Sequence, residues 1–141
     1  MCGQENADYS FLVDASGSIL KDEFIKLQQF IKEVVDYLRI GDKFTHVGLI
    51  EYSASAKMQF NFTTSYDKDE IKELVDKVPH TAGITRIDLA LKVASEELFT
   101  PAGGMRPNSR KVNCLNYFLH YSNIFQQCCF TVICLSSAII I

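Results

Sequence analysis

Three residues able to hold a hard ligand close an apolar run. In FLVDASGSI, residues 11–19, the apolar Phe11, Leu12 and Val13 lead into Asp14, and Ser16 and Ser18 follow at intervals of two. A carboxylate and two hydroxyls form a hard-oxygen donor set. Such a set suits Mg²⁺, which takes octahedral oxygen ligands, keeps several waters and uses few carboxylates. Ala15 and Gly17 leave the loop uncrowded. Two simpler roles compete. Ser18 can cap a following helix. Asp14 can act as a phosphoryl-accepting nucleophile, but that chemistry wants a second acid two residues on, where Ser16 stands, and no general base is placed to help.

Other reactive side chains carry less. His46, His80 and His120 have no nucleophile pattern near them. Cys2, Cys114, Cys128, Cys129 and Cys134 show no metal-ligand spacing, and an odd count leaves at least one thiol unpaired in an oxidising compartment. Asn61, in NFT, is an N-glycosylation acceptor if the chain meets the secretory pathway. The net charge of −3 gives no footprint for nucleic acid.

The elements that must position Asp14 follow from periodicity. YSFLV, residues 9–13, and HVGLIEY, residues 46–52, read as strands buried on both faces, as in a parallel sheet. Between them Phe24, Leu27, Ile31, Val34, Val35 and Leu38 recur at helical spacing, and Gly41 can stop that helix. In AKMQFNF, residues 56–62, apolar and polar residues alternate, which predicts an antiparallel edge strand. Ile71, Leu74, Val75 and Val78 mark a second helix, closed by Pro79; Ile87, Leu91, Ala94 and Leu98 mark a third over residues 87–99. Arg110, Lys111 and Val112 begin another strand. Strands alternating with helices imply an α/β fold, and ligands of such sheets bind beyond the carboxyl ends of strands, where Asp14 sits.

With these elements placed, DASGS, residues 14–18, resembles the DxSxS signature of the von Willebrand factor type A domain, which is also the integrin inserted domain. The resemblance covers about Asp8 to Val112 and includes VGLIEYS, KDEIKELVDKV, GITRIDLAL and SRKV. It implies a doubly wound, mainly parallel sheet with an antiparallel edge strand, and a non-enzymatic protein-binding module of adhesion or extracellular-matrix type. The family's metal-ion-dependent adhesion site then falls on Asp14, Ser16, Ser18 and Thr85, with Mg²⁺ (or Mn²⁺ or Ca²⁺) as the cation. Asp14 works mainly through a coordinated water, and a vacant position accepts a Glu or Asp carboxylate from a protein partner, such as a matrix protein. Thr85 also suits the N-cap of the third helix, and Asp88 suits a first-turn charge rather than a ligand.

The family's third acid, often in TDG after the fourth strand, has no counterpart here, because no acid follows Lys111. The divisions are therefore an extension over residues 1–7, a partial type A domain over 8–112, and an uncharged, Cys-rich tail over 113–141. The later strands of the family are expected to be missing or replaced. Three origins fit the tail: an intron-derived end, a tail anchor spanning residues 124–141, or FTVICL as a substitute for the missing central strand. Extracellular placement follows from the resemblance, although MCGQENADYS has no features of a secretory signal. The competing functional reading is a truncated, metal-site-incomplete or membrane-associated product with no native binding activity.

Overall fold

The structure is a computed structural model; it describes residues 6–119, 124–131, 133–135 and 138–140. Strand β1 (Ala7–Asp14) leads to helix α1 (Lys21–Tyr37), then β2 (His46–Tyr52), β3 (Ala56–Phe60), α2 (Lys68–Asp76) and α3 (Ile87–Val93). A π-helical segment (Ala94–Leu98) extends α3, and β4 (Arg110–Leu119), β5 (Ile124–Thr131), β6 (Ile133–Leu135) and β7 (Ala138–Ile140) follow. The main sheet has the order β3-β2-β1-β4-β5. β1 lies parallel to both β2 and β4, β3 runs antiparallel to β2, and β5 antiparallel to β4. β6 and β7 pair with each other in a separate sheet.

Alternation along β1 divides the core into two layers. Phe11 and Val13 join Phe24, Leu27, Ile31 and Val35 of α1 and Ile71 and Val75 of α2. Leu12 faces the other way, into a cluster with Ile50, Tyr52, Phe62, Ala90 and Leu98. Each face of the sheet thus has helical cover, which is why β1 and β2 read as nearly continuous apolar runs.

Helix ends correct several expectations. The N-cap of α1 is Leu20, whose N–H donates to Glu23 Oε2 at 2.8 Å, so Ser18 is not a cap. At the other end α1 stops at Tyr37, ahead of Gly41, because Leu38 turns to extended backbone (φ −72, ψ 141). That turn lets Leu38 and Ile40 pack on the core and Ile40 bridge to Thr45. The N-cap of α3 is Arg86, so Thr85 is not a cap either. The third helix is not uniform: Phe99 N–H reaches Ala94 O at 2.8 Å, an i→i+5 bond. Leu98 then lies over Gly48 of β2, where an added Cβ would stand 2.8 Å from Leu98 Cδ1.

The strand slot beside β1 belongs to β4, continuous with SRKV, and not to FTVICL. Phe130 and Thr131 end β5 and Ile133–Leu135 form β6. Chain order explains this: β4 enters directly from the loop that ends at Ser109, with Arg110 N–H donating to Asn6 O at 2.9 Å. A buried charge cluster fixes that entry. Asp8, fully buried, accepts from Arg106 Nε at 2.8 Å, from Arg106 N–H at 2.8 Å and from Ser109 Oγ at 2.6 Å. Lys111 Nζ lies 3.8 Å from the same carboxylate and donates to the carbonyl oxygens of Arg106 and Ser109. No helix among the described residues is long and apolar enough to cross a membrane.

Replacing Gly48 with Ala is expected to destabilise the fold by about 1–3 kcal/mol, because fully buried Leu98 has no room to retreat. Urea unfolding of the variant beside the wild type measures it.

Candidate functional site

The turn after β1 gathers three of the four residues singled out in the sequence. Asp14 ends the strand, nearly buried, and its Oδ1 accepts the Ser16 N–H at 2.8 Å. Ser16 and Ser18 bring their hydroxyl oxygens to 2.8 Å of each other. Ser16 is fully buried and Ser18 exposed, so the pair spans the site from floor to solvent. Among the described residues no Lys, Arg or His makes an ion pair with Asp14. A carboxylate taken out of water without a counter-charge is unfavourable, and a bound cation would offset that.

The fourth residue lies on a second loop pressed against the first. Ala82 N–H donates to Ala15 O at 3.0 Å, and Gly17 N–H donates to Gly83 O at 2.8 Å. At Gly17 an added Cβ would sit 3.3 Å from Gly83 N, and Gly83 itself has φ +137. Gly83 favours glycine for its backbone conformation, and at Gly17 a side chain would press on the Gly83 backbone. A His80 ring nitrogen reaches Ser16 O at 3.2 Å while its ring stacks on Phe24, centroids 4.8 Å apart. Thr85 follows two residues after Gly83, exposed, and makes no direct hydrogen bond to Asp14, Ser16 or Ser18.

The end of β2 supports both loops, a role sequence reasoning missed. Tyr52 O accepts the Ala15 N–H at 2.8 Å, and Ser53 O accepts the Arg86 N–H at 2.9 Å. Buried Glu51 accepts from Thr81 Oγ1 at 2.6 Å, and Thr81 Oγ1 lies 2.7 Å from Ser53 Oγ. The only available signal was an acid interrupting a strand otherwise read as buried on both faces.

Nothing acidic completes the site from β4. Asn116 pairs with Val13, and Tyr117, Phe118 and Leu119 follow it to the end of the strand. Among the described residues no three His, Cys, Asp or Glu side chains cluster as metal ligands. A cation here would therefore lean on hydroxyls.

The pattern of the von Willebrand factor type A domain matches residues 8–115. The chain belongs to this family. As a type A domain it is 34% identical over 110 residues to human matrilin-1, covering 78% of this chain and 22% of that protein. It is 32% identical over 106 residues to chicken (Gallus gallus) matrilin-3, covering 75% of this chain and 24% of the relative. It is also 34% identical over 110 residues to the mouse collagen alpha-6(VI) chain, covering 78% of this chain and 5% of that one. The chain thus spans a quarter or less of these matrix relatives. Among solved structures, proximal thread matrix protein 1 from the mussel byssus matches with a TM-score of 0.72 and 29% identity, over 77% of this chain and 29% of that one. Another structure of that protein, with zinc in its MIDAS motif, matches with a TM-score of 0.70 and 28% identity, over 75% of this chain and 29% of that one.

Asp88, in the first turn of α3, pairs with Arg86 through bonds of 2.8 and 2.7 Å and is largely exposed. The Arg86 guanidinium holds the Asp88 carboxyl below its ordinary value, and Asp88 in turn raises Arg86. A depressed carboxyl contributes stability that is present above its unfolded value and is lost as pH falls through the folded one. Solvent screening keeps that contribution small. In an NMR pH titration Asp88 is expected to titrate below the usual Asp range and to return toward it in Arg86→Gln; no change would remove the pair from the account.

Proposed function

We propose that this chain is a divalent-cation-dependent protein-binding module of extracellular-matrix type. Asp14, Ser16, Ser18 and Thr85 would hold the cation, Mg²⁺ first among candidates, with a position left for a Glu or Asp carboxylate of a partner, a matrix protein by analogy with the relatives. The carrying observation is Asp14: a buried carboxylate with no ion-pairing side chain among the described residues, on the same turn as two hydroxyl oxygens 2.8 Å from each other. The bound cation would supply a strong acceptor for an incoming carboxylate, since neutral hydroxyl ligands leave most of its charge uncancelled. The chain's own residues do the rest. Asp14 orders the turn through the Ser16 N–H, Ser16 and Ser18 present oxygens in one place, and the Gly17–Gly83 contact brings up the loop that carries Thr85. Binding rather than catalysis is the reading that the matrilin and collagen VI relatives support.

Adding Mg²⁺ to chelator-stripped protein is expected to raise the melting temperature, with stabilisation of about 2.7 kcal/mol at a hundredfold excess over Kd. Asp14→Ala should abolish the response and Ser18→Ala weaken it, while Asp88→Ala, at a residue paired to Arg86, should leave it intact. Identical shifts in wild type and Asp14→Ala would end the cation-site reading. Mn²⁺ and Ca²⁺ in the same assay establish which ion is preferred.

A secreted setting adds a modification at Asn61. Its Oδ1 accepts from Thr63 N–H at 2.9 Å and from Thr63 Oγ1 at 2.9 Å, a turn that joins the two polar members of NFT. When the chain is expressed behind a secretory leader, an N-glycosidase-sensitive mass shift is expected, absent in Asn61→Gln and in Thr63→Ala. A wild type without the shift would remove the modification.

A further inference from the structure

Glu51 is a buried acid to which the cation-site account gives no ligand role. Only 4% of its surface is exposed, and no cation pairs with it among the described residues. Its partners are neutral donors: Thr81 Oγ1 at 2.6 Å and, more distantly, Gln59 Nε2 at 3.5 Å. Thr81 has one hydroxyl proton. Given to the carboxylate, it obliges Thr81 Oγ1 to accept from Ser53 Oγ, 2.7 Å away. Ser53, itself buried, then holds the far side of the same loop through its carbonyl, which accepts the Arg86 N–H at 2.9 Å. The loop is thereby held at Thr81 and at Arg86, on either side of Ala82–Thr85.

We infer that Glu51, acting through Thr81 and Ser53, is a positioning residue: it clamps the loop bearing Thr85 onto the turn bearing Ser16 and Ser18 before any cation arrives. The inference rests on the cation-site reading for what is positioned, but the clamp itself is a property of the metal-free protein. A hydrogen bond to a charged acceptor is stronger than a neutral one, and a carboxylate shielded from water keeps that strength. The loop needs such a tether. Ala82 adopts φ 50, a left-handed conformation that costs a side-chain-bearing residue and that a loosely held segment would leave.

The test uses the whole chain with three changes. Thr81→Val keeps the shape and removes the hydroxyl; Thr81→Ser restores it. Glu51→Leu combined with Thr81→Val removes both partners together, so that no buried carboxylate is stranded and the fold survives. Without metal, amide exchange at Ala82 and Arg86, whose N–H groups bond to Ala15 O and Ser53 O, is expected to rise about tenfold or more in Thr81→Val and in the double variant. Leu12 and Leu49 in the central strands should keep wild-type protection, and Thr81→Ser should recover both loop amides. By calorimetry, Mg²⁺ should bind Thr81→Val about tenfold more weakly than wild type, with recovery in Thr81→Ser. Unchanged exchange at the two loop amides overturns the clamp. Faster exchange with unaltered Mg²⁺ affinity overturns its positioning role. A wild type that takes up no Mg²⁺ overturns the cation site instead, and the exchange data then judge the clamp alone.

Discussion

Two backbone hydrogen bonds between loops make the candidate site one place. Gly17 N–H to Gly83 O, at 2.8 Å, and Ala82 N–H to Ala15 O, at 3.0 Å, join a turn that ends β1 to a loop between two helices. Gly17 eases the first, since an added Cβ would press on Gly83 N at 3.3 Å. Without these bonds the hydroxyls of Ser16 and Ser18 would be an isolated pair on one turn. The sheet supplies the level at which the loops meet. β1 and β2 run parallel in a register that sets Asp14 beside Tyr52, and Tyr52 O takes the Ala15 N–H.

Among the described residues three buried carboxylates, Asp8, Glu51 and Asp14, are treated in three ways. Asp8 is surrounded by Arg106, Lys111 and Ser109, and its work is to fasten β4 to the start of β1. Glu51 receives neutral hydroxyl donation and works through the loop it holds. Asp14 has one backbone donor, the Ser16 N–H, in the turn where the Ser16 and Ser18 hydroxyls meet. Burial penalises each of these charges, and Glu51, like Asp14, has no cationic partner among the described residues; what sets Asp14 apart is the turn it opens, where the Ser16 and Ser18 hydroxyl oxygens lie 2.8 Å from each other. The first two stand where the chain must be pinned, Asp8 at the entry of β4 and Glu51 beneath the Thr81 loop, and the third ends β1 at the turn that carries Ser16 and Ser18.

Strong periodicity made much of this frame legible in the sequence. β2 runs over HVGLIEY as read, and α1 buries Phe24, Leu27, Ile31 and Val35 of the stripe that was picked out. What escaped were features that no local pattern encodes. The early stop of α1 is set by where Leu38 and Ile40 must pack, a tertiary demand that overrides the nearby glycine. The π turn at Ala94–Leu98 answers to Gly48, far away in sequence, by carrying Leu98 over it. At the site, Asp14, Ser16 and Ser18 announced themselves by spacing within five residues. Thr85 emerged from the family resemblance, and Glu51, Ser53 and Thr81 stayed hidden because their significance lies in pairings across distant segments. FTVICL failed as a central strand because composition says what can be a strand and chain order says which one arrives.

The uncharged end of β4 bears on what the site would do. Asn116, Tyr117, Phe118 and Leu119 occupy the last stretch of that strand, so Asp14 is the one carboxylate in the proposed set of four. A divalent ion facing a single negative charge keeps a net positive charge, where two acids would neutralise it. The same deficit weakens the ion's hold and strengthens its pull on an external carboxylate. Affinity for the metal and affinity for an acidic partner would then be linked: each ligand supplies what the other lacks, and each binds better in the other's presence. In a matrix setting, where divalent ions are abundant, such a site would be filled most completely when its partner is also bound.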